Sequence, residues 1–224
     1  MPKVTSKNRA QHLLDLKTFW DCYRSPILNY GSVPTRSVTG VAGNTYRAYG
    51  RFRPKKNGKS IGPKPGKLFL SWIQVSGVCK TLAQTKRFAA FHSTAVDSLV
   101  KYWKSETGKT LKPYPYAAKL IDLHFKHAAW HSLYEIGAVR RKKLMEELFQ
   151  PLDKYSLRML KACDVKLMEK SKIRSNASMG SIACKEEYLH LQGAINALCK
   201  EVGVPNFAFD QYAWNQSGDD EAQF

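Results

Sequence analysis

One run of residues in this chain has the types and spacing to do chemistry. Gln150-Pro151-Leu152-Asp153-Lys154-Tyr155-Ser156-Leu157-Arg158-Met159-Leu160-Lys161 reads as a loop ending in Pro-apolar-Asp, followed by the start of an amphipathic helix. Asp153 stands where an N-cap belongs, and its carboxylate can accept backbone amides of the next turn. Two other patterns fall short of a site. Asn57-Gly58-Lys59-Ser60 has the end of a phosphate-binding loop, but Arg53 occupies the place of its first Gly and no buried strand leads into it. His127 and His131 are spaced i, i+4 as in helical zinc sites, yet Ala128 stands where the catalytic Glu should follow and no third ligand is near. They read as surface or semi-buried histidines. There is no serine nucleophile elbow, no thiol-enzyme signature and no carboxylate cluster for a two-metal nuclease, so neither metal nor organic cofactor is expected.

The elements that must position Asp153 are helical. Residues 6–24 predict a helix with Ser6 as cap, Leu13, Leu16 and Trp20 on one face, and Pro26 as its stop. Residues 31–67 are rich in Gly, Pro and polar side chains and predict a long loop, with a short hairpin around 44–53. Residues 68–104 read as helix with breaks near Gly77, and 105–116 as a turn, because Gly108, Pro113 and Pro115 forbid a continuous helix. From 117 to 136, Ala118, Ile121, Phe125, Ala128, Ala129, Leu133 and Ile136 recur at helical spacing, with Gly137 able to end the helix. Helices are expected at about 138–149, from Asp153 to about Lys170, and over 182–202, ending at Gly203 with Pro205 beyond. The polar loop 171–181 separates the last two. The fold class is mainly α: a single helical domain over 1–216 with an irregular basic loop or short hairpin near its N-terminus, and an acidic tail, 217–224.

Charge is the loudest compositional signal. The 224 residues hold 36 Lys and Arg against 18 Asp and Glu, a formal charge of +18. Such an excess implies a polyanionic partner, usually nucleic acid. Between Cys22 and Val96 there is no acid at all, against thirteen Lys and Arg. The stretch 47–67 is densest: Arg47, Arg51, Arg53, Lys55, Lys56 and Lys59 are interleaved with Tyr46, Tyr49 and Phe52, a mixture able to pair with phosphates and stack on bases. A second run, Arg140-Arg141-Lys142-Lys143, interrupts a helical region. No stretch nears the roughly 18 apolar residues of a membrane span. The N-terminal residues lack the apolar segment of a secretory leader. Five scattered cysteines, none in a Cys-x-x-Cys pair, suit reduced thiols in the cytoplasm.

Pro151-Leu152-Asp153-x-x-x-x-Arg158-x-Leu160 resembles the Pro-Val-Asp-x-x-x-x-Arg-x-Leu element of the helix-hairpin-helix DNA glycosylase superfamily, which includes the 8-oxoguanine glycosylases. The resemblance implies that Asp153 opens a helix facing a flipped nucleotide and is the catalytic carboxylate. It makes Lys126, in Phe125-Lys126-His127-Ala128-Ala129-Trp130, the candidate amine nucleophile of a bifunctional member. Downstream, residues 188–215 resemble the closing helices of glycosylase-like bacterial proteins, with Asp210 and Trp214 as their recognisable pair. The likeness covers about 117–216. The family's Leu-Pro-Gly-Val-Gly hairpin is replaced by Ile121-Asp122-Leu123-His124-Phe125, so the basic 47–67 loop would have to supply the phosphate grip, and no cysteine quartet for an iron–sulfur cluster follows.

The chemistry so implied is coherent. Breaking an N-glycosidic bond builds positive charge on the sugar, which a carboxylate stabilises and an amine can trap as a Schiff base. The base must first leave the stack, for which Trp72, Trp130 and Tyr155 are candidate pocket aromatics beside Asp210 and Trp214. The expected function is excision of a damaged or modified base from double-stranded DNA by a monomeric enzyme that does not enter membranes. The competing expectations are a non-catalytic DNA- or RNA-binding accessory protein, in which Asp153 merely caps its helix, and a ribosome- or RNA-associated protein.

Overall fold

The computed structural model describes residues 8–30, 38–131, 134, 136–164 and 177–216, and of 26–30 only the backbone. Helix α1 (Arg9–Tyr30) is capped by Asn8, whose Oδ1 accepts the Gln11 amide at 3.0 Å; Ser6 lies outside the described residues. The helix does not stop at Pro26 as expected. Proline removes one hydrogen bond back to Cys22, but residues 21–25 are exposed, so water can satisfy that carbonyl and the helix carries on.

The basic segment has more structure than a loop. Thr45–Phe52 is a 3-10 helix, and the hairpin lies after it: β1 (Lys55–Lys56) pairs antiparallel with β2 (Lys59–Ser60). Asn57 and Gly58 connect the strands with φ of 50° and 74°. Positive φ at both central residues is the type I′ turn that Asn-Gly favours, so the four residues resembling a phosphate loop are a hairpin turn. Two of the interleaved aromatics point inward. Tyr49 is fully buried and its hydroxyl donates to the Tyr116 carbonyl at 2.8 Å; Phe52 is buried beside it. They are core, not stacking platforms for bases.

Next come α2 (Pro65–Ser76), α3 (Val78–Gln84) and α4 (Phe88–Thr107). Gly77, at φ 63°, makes the left-handed turn between the first two, and Gly108, at φ 67°, ends the third. Helix α5 (Pro115–Trp130) begins with proline at its first position, as the missing amide allows. It ends at His131, whose backbone is extended, rather than at Ile136; Leu133 lies outside the described residues. Gly137 instead caps α6 (Ala138–Glu147), which contains the basic run without interruption. Helix α7 (Lys154–Cys163) stops where Asp164 leaves helical backbone angles; residues 165–170 of the expected helix lie outside the described residues. A short 3-10 turn, Met179–Ser181, precedes α8 (Lys185–Val202). Gly203, at φ 70°, and Pro205 then open a further helix, α9 (Asn206–Asn215), absent from the helices expected by periodicity.

Helix α5 is the centre of the molecule. Leu120, Ile121 and Phe125 are each fully buried, and side chains of this size stabilise by roughly 1.5–3 kcal/mol apiece when removed from water. Helices α4, α6 and α1 pack around it, while α9 packs on α7, α8, α6 and α1. No described helix is long and apolar enough to cross a membrane, and all five cysteines are free thiols.

Candidate functional site

Most faces of α5 are buried, so its polar residues must find partners inside the protein. Asp122, His124 and Lys126 are each less than a tenth exposed. Lys119 and Lys126, seven residues or two turns apart, share a face, and each ends on a carboxylate from another helix. Lys119 Nζ lies 3.5 Å from Asp153 Oδ2, and Lys126 Nζ donates to Asp210 Oδ2.

Asp153 does cap α7. Its Oδ1 accepts the amides of Tyr155 at 2.9 Å and Ser156 at 3.2 Å. The backbone of Asp153 is extended and its side chain turns back over the first turn, the usual N-cap geometry. The Ser156 hydroxyl, at the third position of the helix, links the two halves of the site. It lies 2.8 Å from the Pro151 carbonyl, 3.0 Å from Asp210 Oδ1 and 3.4 Å from Asp153 Oδ1. Having one proton, it can donate to only one of the three at a time. Lys119, Asp153, Ser156, Asp210 and Lys126 thus form one continuous polar line across α5, α7 and α9. Two carboxylates beside the positive end of α7 are favourably placed. Burial raises the Asp153 carboxyl above its usual range, Lys119 pulls it down, and the nearby Asp210 charge adds to the rise.

Beyond Asp153, whose carboxylate accepts its amide, Tyr155 pairs with Trp214 of α9. Their ring centroids are 4.4 Å apart. Lys126 Nζ sits 5.2 Å from the Phe207 ring centroid, and Trp130 packs edge-on against the same ring at 5.3 Å. Asp153, Lys126 and Asp210 thus belong to one line, while Tyr155 and Trp214 pack on each other and Trp130 packs on the Phe207 ring beside Lys126. Trp72 does not belong with them: it is 1% exposed, stacks on Phe69 and donates to Ser98. The line itself is nearly closed, with Asp153 and Lys126 each 8% exposed. Lys119 and Ser156 had no place in the expected site. Ser156 carries a faint signal, three residues after an N-cap Asp, whereas Lys119 has none.

A second buried polar group lies on α5 between Lys119 and Lys126. The His92 Nε2–H donates to Asp122 Oδ1 at 2.8 Å, and the Tyr188 hydroxyl donates to Asp122 Oδ2 at 2.7 Å. Burial raises the Asp122 carboxyl, opposed by His92 and Tyr188. His124 lies 3.1 Å from the Thr39 carbonyl through Nδ1, which must therefore carry the proton, leaving Nε2 to accept from the Cys79 thiol, also at 3.1 Å. Burial drives the His124 pKa down to about 4. His127 and His131 face each other with ring centroids 4.3 Å apart. Among the described residues no three His, Cys, Asp or Glu gather as a metal ion would require.

The expected nucleic-acid contacts divide in two. Arg47, Arg51, Lys55, Lys56 and Lys59 are exposed, whereas Arg53 is half-buried and donates to the Gly62 carbonyl at 2.7 Å. Arg140 reaches Glu147 at 3.3 Å and the Leu82 carbonyl at 3.4 Å, and Arg141 reaches the Ile136 carbonyl at 3.2 Å. These two arginines spend donors on protein acceptors that a solvated basic run would offer to phosphates. Compared with protein-family models, with curated proteins and with solved structures, the chain matches none.

Proposed function

We propose that this protein is a DNA glycosylase, which draws a damaged or modified nucleotide out of the duplex and breaks its N-glycosidic bond. The observation that carries this reading is the meeting of Lys126, Asp153 and Asp210 in one buried polar line, with the Phe207 ring beside Lys126. The Pro151-Leu152-Asp153 resemblance supports it independently.

In this reading Asp153 opposes the positive charge that grows on the sugar as the C1′–N bond breaks, its geometry fixed in advance by two backbone amides. Lys126 is already hydrogen-bonded to a proton acceptor. Having given a proton to Asp210, its amine attacks C1′ while the bonding pair departs with the base, which takes up a proton; the covalent product goes on to a Schiff base. Should Lys126 keep its proton, a water directed by Asp153 takes the nucleophile's place. The exposed cations of the 47–59 segment would hold phosphates while the base is flipped. Because the line is nearly closed, substrate entry requires the side chains at its edge to move.

One observation favours a second reading. Every polar atom of Asp153 has a structural partner, and a capping carboxylate tied to Lys119 explains the geometry with no substrate. The protein would then be a non-catalytic nucleic-acid-binding module using the same basic surface. The experiment that separates the two incubates the protein with duplexes bearing varied modified bases, then applies alkali to reveal abasic sites. Strand scission at the modified position supports the enzyme; intact strands with salt-sensitive binding support the module.

A further inference from the structure

A cavity of about 570 Å³ opens between α1, α6, α8 and the start of α9, and neither Asp153 nor Lys126 lines it. Its size falls within the roughly 300–1,000 Å³ usual for small-molecule sites. Trp20, only 8% exposed, gives it an apolar wall. Arg24 from α1, Lys142 from α6 and Lys200 from α8 bring three cations from three helices, against one acid, Glu146. Arg24 reaches Asp21 only at 4.0 Å, and neither Lys142 nor Lys200 forms an ion pair among the described residues. Asn206 begins the ten-residue helix α9 at the cavity's edge, so the positive end of that helix adds to the field.

An apolar wall beside a net positive rim selects a molecule that is flat and apolar at one end and anionic at the other. We propose that this cavity binds a nucleotide, with its ring against the Trp20 side and its phosphate between Lys142, Lys200 and Arg24. The same chemistry comes from two sources, a free nucleotide or the 5′-phosphorylated end of a strand. The proposal does not depend on base excision at Asp153, because no residue of the polar line takes part.

The test is titration calorimetry at fixed salt with AMP, adenosine, inorganic phosphate, and a short single strand with and without its 5′-phosphate. Each ligand is offered to the wild-type protein, to K142E/K200E and to K101E/K104E, which makes the same charge change on exposed residues of α4. A free-nucleotide site binds AMP more tightly than adenosine or phosphate and loses at least tenfold affinity in K142E/K200E but not in K101E/K104E. A strand-end site leaves AMP unbound and shows that same selective loss for the 5′-phosphorylated strand alone. Equal losses in the two variants, or no difference between phosphorylated and unphosphorylated ligands, would overturn the proposal.

Discussion

The Lys126 ammonium is paired with the Asp210 carboxylate, which fastens the C-terminal half of α5 to α9 across 84 residues of sequence. Their side chains are 9% and 4% exposed, so neither charge can turn to water if the other is lost.

Removing one partner should therefore be costly. Lys126→Met leaves Asp210 without its counter-charge, and the expected loss is about 3–5 kcal/mol in urea denaturation. Replacing both, as Lys126→Met with Asp210→Leu, should recover most of that loss, because two apolar side chains of similar volume need no desolvation. A stable Lys126→Met single variant would show that the pair contributes little.

Lys126 as nucleophile is tested separately from its structural part. Borohydride added during turnover should trap a covalent protein–DNA adduct with the wild-type chain and none with Lys126→Gln. An adduct that persists in Lys126→Gln would assign the chemistry to another amine, and base release without any adduct would assign it to water.

Burial holds the His124 pKa near 4, against 6.5 for a solvated histidine. A lowered histidine contributes stability that is fully present above pH 6.5 and is lost as pH falls towards 4, on the order of 3 kcal/mol over that window. Asp122, whose carboxyl is raised by burial, acts in the opposite direction, favouring the folded state at low pH. Comparing wild type with His124→Gln isolates the histidine: the wild-type advantage should grow between pH 4 and pH 7. A pH-independent difference would contradict the neutral, Thr39-bonded tautomer.

Lys55, Lys56 and Lys59 are exposed on the hairpin, so their replacement by Gln should leave the melting temperature unchanged. If they touch phosphates, the slope of log affinity against log salt should become shallower by about 2–3, since each duplex phosphate contact contributes about 0.9. An unchanged slope would remove this hairpin from the interface.

The helices were legible where the apolar spacing is strong, as in α5 and α8, and where Gly and Pro mark their ends, as at Gly77, Gly108 and Gly203. Their ends were misread where a single residue was given too much authority: Pro26 does not stop α1, and Gly137 begins a helix rather than ending one. The hairpin was misplaced because Asn57-Gly58 was weighed as a phosphate loop and not as a turn. In the site, Asp153 was legible as a cap because capping is local. Lys126 was singled out by the resemblance as a candidate amine, with no partner for its charge. It is buried, because Asp210 arrives from α9, and no local pattern announces a partner that distant. Lys119 and Ser156 were missed for the same reason, and Tyr49 was misread because the charges around it hid an aromatic belonging to the core.

The Asp153 carboxylate both caps α7 and, in the proposed reaction, opposes the sugar cation, and Asp153→Asn separates these two roles. Asparagine caps a helix about as well as aspartate, and burial already disfavours the Asp153 charge, so neutralising it removes a desolvation cost together with the Lys119 pair and stability should change little. Losing the negative charge beside the developing sugar cation should slow abasic-site formation by about a hundredfold or more. The decisive measurement is therefore the single-turnover rate of abasic-site formation by wild type and Asp153→Asn on one modified-base duplex, at matched salt and with melting temperatures in hand. A wild type that excises the base and a variant equally folded, equally bound and about a hundredfold slower is the expected result. Excision by Asp153→Asn at the wild-type rate, or none by the wild-type protein on any modified duplex, would contradict it.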